Sequence, residues 1–159
     1  MDELILLLLL LTANGSPILA RELSGDGLNH PLDHGRVLAD GHRLLGPSKT
    51  YRGLVTAILA TTLLAIASGL PWHIGAIVGV LAMLGDACSS FVKRRLGMPA
   101  GAKAPGLDHV PESLLPLLIC KPLLGLSWTQ VLLLSLAFLL LHLVLSRLLY
   151  RFGVRKHPY

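Results

Sequence analysis

The stretch Gly85–Gly97, GDACSSFVKRRLG, sets a single carboxylate, Asp86, at the end of an apolar run and just before three consecutive cations. A carboxylate inside a membrane-length segment is costly, so its presence there points to function. On a helix Asp86, Ser89, Ser90 and Lys93 recur at i, i+3, i+4 and i+7, forming one polar stripe of carboxylate, hydroxyls and ammonium. Mg²⁺ takes oxygen ligands, commonly one or two carboxylates plus substrate phosphates, while Lys and Arg neutralise the remaining phosphate charge. The stripe therefore suits a nucleoside triphosphate. Asp108 and Glu112 supply further carboxylates and share a face if a helix starts at Asp108, where Pro111 can occupy the first turn. The plainer alternative is an interfacial Asp86 that reaches water or pairs with Arg94.

A second group lies upstream, in GPSKTYRG. Gly41 and Gly46 have the separation of a phosphate-binding P-loop, but Lys49 does not follow directly, so the motif fails. What remains is Lys49, Thr50 and Arg52 between Gly46 and Gly53, cations and donors in a tight backbone that suit a pyrophosphate. Asp40, Gly41 and Arg43 invite comparison with the start of CDP-alcohol phosphotransferases, yet the later Gly and paired Asp residues of that metal site are missing. The histidines show no zinc-ligand pattern, with His73 and His142 read as interfacial or packing residues. Cys88 and Cys120 read as small buried hydrophobes rather than a disulfide.

These groups must be positioned by a membrane protein. Of 159 residues 53% are hydrophobic and 14% charged, with a mean hydropathy of +0.66, too apolar for a soluble domain of this size. Five segments have the length and character of spans: Leu4–Ala20, Leu54–Leu70, Ile74–Phe91, Val110–Leu126 and Trp128–Tyr150. The fourth is interrupted by Pro111, Pro116, Lys121 and Pro122. Asp2 and Glu3 precede the first where a cleaved leader needs positive charge, so it is read as a retained helix. With five spans every Lys and Arg except Lys121 falls on one side, which the positive-inside rule makes cytoplasmic. The expectation is an all-α integral membrane protein, a single domain over 1–159, with the N-terminus outside and the C-terminus cytoplasmic.

Two polar loops, about 21–53 and 92–109, then face the cytoplasm, where they can converge on one site fed by a lipid from the bilayer and a soluble partner from the cytosol. The first alternates acids, bases and glycines with scattered Leu and Val, the pattern of an ordered loop rather than a disordered one. The net charge of +5 hugs the membrane boundary without nucleic-acid motifs, which excludes nucleic acid and favours phosphate ligands or anionic headgroups. In the first span Asn14 is awkward against lipid, and Pro17 frees backbone carbonyls, so this polar kink is a candidate lining of the site.

In order along the chain, ANGSPILA, PLDHGRVLADGHRLLGPSKTYRG, GDACSSFVKRR and GLDHVPESLLP resemble the CDP-archaeol synthase family, itself similar to phosphatidate cytidylyltransferases. The most specific match is the first loop, at Asp33, Gly35, Arg36, Asp40, Gly41, Arg43, Gly46, Lys49, Thr50, Arg52 and Gly53. Gly85, Asp86, Ser90, Lys93 and Arg94 match in the second element, and Asn14 and Pro17 in the first span. One departure is that Pro111 occupies the position of a second family aspartate, three after Asp108, with Glu112 beside it.

The resemblance implies transfer of CMP from CTP to a lipid phosphate, giving a CDP-lipid and pyrophosphate at the plasma membrane, with the site facing the cytoplasm. It implies nucleotide or phosphate contacts from Asp33, Arg36, Asp40, Arg43, Gly46, Thr50, Gly53 and Ser90. Asp86 and Asp108, with Glu112, are the expected Mg²⁺ ligands, and Lys49, Arg52, Lys93 and Arg94 the expected charge stabilisers. A homodimer is compatible with the sequence. The competing class is a non-enzymatic membrane protein, a small transporter subunit or assembly factor, that binds anionic lipid through its cations.

Overall fold

The computed structural model describes residues 3–25, 29–102 and 104–151. Asp2, Lys103, Arg155 and Lys156, which entered the charge argument, lie outside the described residues. Five helices follow in order: α1 Glu3–Ser24, α2 Tyr51–Ala67, α3 Trp72–Arg95, α4 Pro105–Leu124 and α5 Trp128–Arg151. Among the described residues there is no strand, only the isolated bridges Pro31–Thr50 and Val37–Arg43 within the first loop. Three helices, α1, α3 and α5, are long and apolar enough to cross a membrane, while α2 is apolar but shorter.

The prolines of α4 do not break it. Pro111, Pro116 and Pro122 are all absorbed into one helix, which ends where Gly125 adopts φ 63°, a left-handed cap that glycine accepts without strain. The helix starts at Pro105 rather than at the expected Val110, because Pro suits a first turn whose N–H groups lack partners anyway. Asp108 and Glu112 therefore lie one turn apart inside α4. Likewise α1 runs unbroken through Pro17.

α3 is the central helix, packed against α2 on one side and α4 on the other. Lipid tails are as apolar as leucine, so membrane helices gain from close backbone approach over small residues. A Cβ at Gly79 would lie 2.5 Å from the Thr61 hydroxyl of α2, and one at Gly85 would overlap the Pro111 carbonyl of α4. Away from the loops, Leu6, Leu9, Leu10, Val78, Leu117, Val131 and Phe138 fill the core between α1, α3, α4 and α5. Outward leucines such as Leu59, Leu63, Leu132 and Leu140 remain exposed, a surface suited to hydrocarbon rather than water.

The first loop is ordered around one carboxylate. The fully buried Asp33 side chain accepts from the backbone N–H groups of Gly35 (3.0 Å), Leu45 (3.2 Å) and Gly46 (2.8 Å) and from Arg43 Nη2 (2.5 Å) and Nε (3.3 Å). Burial alone would raise its pKa. Arg43 and the N–H groups of Gly46, Gly35 and Leu45 outweigh burial and hold the carboxyl well below the usual range. A second fastening joins the loop to α3: Arg95 donates to Asp40 Oδ2 (2.7 Å) and to the Arg43 carbonyl (2.6 Å). The His42 backbone N–H lowers the Asp40 pKa against the effect of desolvation, with Arg95 adding to the lowering. Thr50 then caps α2 by accepting from the Gly53 N–H (3.2 Å).

Two outcomes follow from these contacts. Because its pKa is lowered on folding, Asp33 contributes stability that is fully present above its ordinary 3.8 and lost as pH falls below that value. Hydrogen exchange of the loop amides should therefore be flat from neutral pH to about pH 4 after correction for intrinsic rates, whereas Asp33→Ala should unprotect them at every pH. Gly85→Val should separate α3 from α4 and destabilise the folded protein by about 1–3 kcal/mol, read as a lower thermal midpoint in detergent.

Candidate active site

Where the first loop meets the ends of the helices, all five helices border one cavity of about 850 Å³. That is ample for a nucleotide-sized ligand. Its charged centre is built by bringing a loop cation onto a helix carboxylate. Lys49 Nζ lies 2.5 Å from both oxygens of Asp86, a forked ion pair about four-fifths shielded from solvent. Close by, Lys93 pairs with Asp108, whose other oxygen accepts from the Ala104 N–H (2.9 Å). Lys93 also donates to the Ala102 carbonyl at 3.2 Å, so the second loop is tied to α3 by the same ammonium.

Glu112 is buried on the same cavity wall as Asp86, its backbone packed against Gly85, with His109 Nδ1 3.6 Å from its Oε2. Neighbouring carboxylates repel when both are charged, and a cation between them removes the repulsion. The donors are hard oxygens, which fits Mg²⁺. Among the described residues no three His, Cys, Asp or Glu side chains already form a metal cage. That is compatible with an ion that takes one or two carboxylates and completes its shell with phosphate and water. Arg94 is buried and donates to the Pro99 carbonyl (2.9 Å), and among the described residues its buried Nε has no hydrogen-bond partner.

Of the residues expected at the site, Asn14, Pro17, Lys49, Thr50, Gly53, Asp86, Ser90, Lys93, Arg94, Asp108 and Glu112 line this cavity. Asn14 Nδ2 donates to the Leu10 carbonyl one turn back (3.0 Å), which satisfies one of its two amide N–H donors inside the bundle. Ser89 leaves the expected stripe, since its hydroxyl bonds the Asp86 carbonyl (2.8 Å).

The remaining residues do other work. Asp33, expected to touch nucleotide, is saturated inside the loop, and Arg43 is its partner. Asp40 holds Arg95, and Arg36 is exposed on the loop away from the lining. Gly46 supplies an N–H to Asp33 at φ 108°, a backbone conformation that favours glycine, and its missing Cβ leaves room for Arg94 3.5 Å away. Arg52, expected at the chemistry, points instead to the Gly25 carbonyl at the end of α1 (2.7 Å).

The lining also holds residues that were not anticipated, among them two histidines and an arginine. His109 and His142, on α4 and α5, stack with ring centroids 4.2 Å apart and both border the cavity. Arg21 borders it from α1. The available signals were the position of His109 between Asp108 and Glu112, and the spacing of Arg21 seven residues after Asn14.

Comparison with known proteins gives the family. The CarS-like family model, described as CDP-archaeol synthase, matches residues 1–159. A CDP-archaeol synthase from Aeropyrum pernix is 40% identical, with all of this chain and 92% of that protein covered. Another, from Sulfurisphaera tokodaii, is 34% identical over 94% of this chain and 90% of that protein. A solved structure of an intramembrane enzyme for archaeal membrane lipids biosynthesis superposes with a TM-score of 0.72 at 37% identity, covering 89% of this chain and 90% of its own. These matches set aside the non-enzymatic alternative. From the loop hub to the charged cavity and across its whole length, this chain is a membrane enzyme that belongs to the CDP-archaeol synthase family.

Proposed function

We propose that the protein transfers CMP from CTP to a lipid phosphate, an unsaturated diether glycerol phosphate in keeping with its relatives' name, releasing pyrophosphate and a CDP-activated lipid. The observation that carries this reading is the Lys49–Asp86 pair set beside Lys93–Asp108 in one membrane-embedded cavity. Each of these two lysines has a carboxylate to hold until a phosphate arrives, and that carboxylate then becomes available to a metal ion.

The protein spans the plasma membrane five times, with its N-terminus outside and both loops cytoplasmic. Gln130 at the start of α5 donates to Glu3 at the start of α1 (2.8 Å), so these two helices begin at the same end, as five alternating spans require. Exposed Trp72 and Trp128 open α3 and α5, with Lys121 Nζ 4.7 Å from the Trp128 ring centre, a belt suited to the outer interface. The cations Lys93, Arg94 and Arg95 close α3 at the other end.

In the reaction an oxygen of the lipid phosphate attacks the α-phosphorus in line. The bond from that phosphorus to the oxygen bridging the β-phosphate breaks, and the electron pair leaves with pyrophosphate. A phosphate monoester is already mostly dianionic near neutral pH, so no general base is needed. Lys49, Lys93 and Arg94 hold the triphosphate oxygens and stabilise charge growing on the leaving group. Asp86, Asp108 and Glu112 would hold Mg²⁺, which neutralises phosphate charge as a Lewis acid when bound. The short reach of Arg52 to Gly25 keeps it out of this set.

The direct test is pyrophosphate release by detergent-solubilised protein given Mg²⁺, CTP and either diether or diacyl glycerol phosphate. Turnover is expected with the unsaturated diether, and its absence with every lipid phosphate in folded protein would sink the reading. Asp86→Asn should lower kcat by about a hundredfold or more with helicity retained. Arg52→Gln, by contrast, should change kcat by less than about fivefold, since it stands outside the cavity lining.

A further inference from the structure

Arg21 is a cation of the cavity lining that the chemistry above does not use. On α1 the residues Asn14, Pro17, Ile18 and Arg21 all line the cavity, at i, i+3, i+4 and i+7, so a single helix face is turned inward. Read from the bundle interior toward the end of the helix, that face passes from an amide through apolar surface to a guanidinium. Among the described residues no ion pair or hydrogen bond engages the Arg21 side chain, in contrast to Lys49 and Lys93 on the other walls. Glu22, the next residue, also borders the cavity, a helical step of roughly 100° around the axis.

α5 provides the matching side. From the Glu3–Gln130 contact, at about 1.5 Å per residue, Arg21 and Ser146 both lie roughly 25 Å along their helices. Leu143 and Ser146 border the same cavity there. The cavity wall contributed by α1 and α5 thus has Ile18 and Leu143 deeper in the bundle and a cation nearer the helix end.

We infer that this wall is the lipid-phosphate half of the site: Arg21 binds the phosphate of the incoming lipid while Ile18 and Leu143 contact the first carbons of its chains. The assignment rests on the proposed transfer reaction and deepens it. An amphiphile whose chains stay in hydrocarbon can present its phosphate only at the depth where the apolar wall gives way to charge, and α1 has that order along one face. Guanidinium forms bidentate, charge-assisted bonds with phosphate oxygens. Division of labour follows, with the triphosphate on the α3 and loop wall and the acceptor phosphate on the α1 wall.

Steady-state kinetics in mixed micelles, varying each substrate in turn, tests this. Arg21→Gln should raise KM for the lipid phosphate about tenfold or more, as loss of one charge-assisted contact does, and leave KM for CTP within about twofold. Arg21→Lys should recover most of the difference. A rise in KM for CTP instead, or no change in either KM, would overturn the assignment, the latter leaving Arg21 as a helix-end charge only. Calorimetry of wild type and Arg21→Gln with a short-chain diether glycerol phosphate, without CTP, separates this inference from the reaction itself. Binding weakened by the substitution supports Arg21 even if no pyrophosphate is ever released, whereas equal binding by both proteins contradicts it.

Discussion

The ion pair between Lys49 and Asp86 is the interaction on which the rest of the architecture depends. Neither partner suits its location alone, since removing one member of a buried pair costs about 3–5 kcal/mol through the charge left behind. Asp86 lies inside α3 and Lys49 lies on a loop, so the loop must be folded firmly enough to hold its ammonium against the helix. Asp33 gathers the loop backbone, Arg95 fastens it to α3, and the Thr50 cap starts α2 immediately after Lys49. Gly85, next to Asp86, admits the α4 backbone and so brings Glu112 to the same point.

This arrangement prepares a charged site in which both lysines are already paired. Each lysine faces a carboxylate, and a phosphate-rich ligand arriving with a divalent cation carries both kinds of replacement partner. Lysine can move to phosphate while carboxylate moves to metal, so both charges remain compensated throughout. The second pair, Lys93 with Asp108, works in the same way and also anchors the second loop through the Ala102 carbonyl. Arg94 adds a donor whose Nε has no partner among the described residues.

Much of this was legible in the residues. Hydropathy located the helices, because backbone groups in hydrocarbon leave few alternatives, and the cost of Asp86 in an apolar run marked the site. The loop residues were harder to assign. Asp33, Arg43, Asp40 and Arg52 share the residue types of a phosphate site, yet the first three hold the loop in shape and the fourth reaches α1. Composition cannot separate a cation that binds ligand from one that binds a carbonyl, since both need the same donor. Prolines misled at α4, where a start at Pro105 turned an expected interruption into a continuous helix. His109, His142 and Arg21 were missed because their meeting depends on how α1, α4 and α5 pack, which periodicity within one helix does not encode.

The partner exchange is the central claim, and calorimetric binding of CTP and Mg²⁺, each with and without the other, tests it most directly. With lysines neutralising the carboxylates, Mg²⁺ alone should bind weakly and CTP alone poorly, while together each should strengthen the other by the same factor, about tenfold or more. Tight Mg²⁺ binding without nucleotide, or CTP binding indifferent to Mg²⁺, would contradict it.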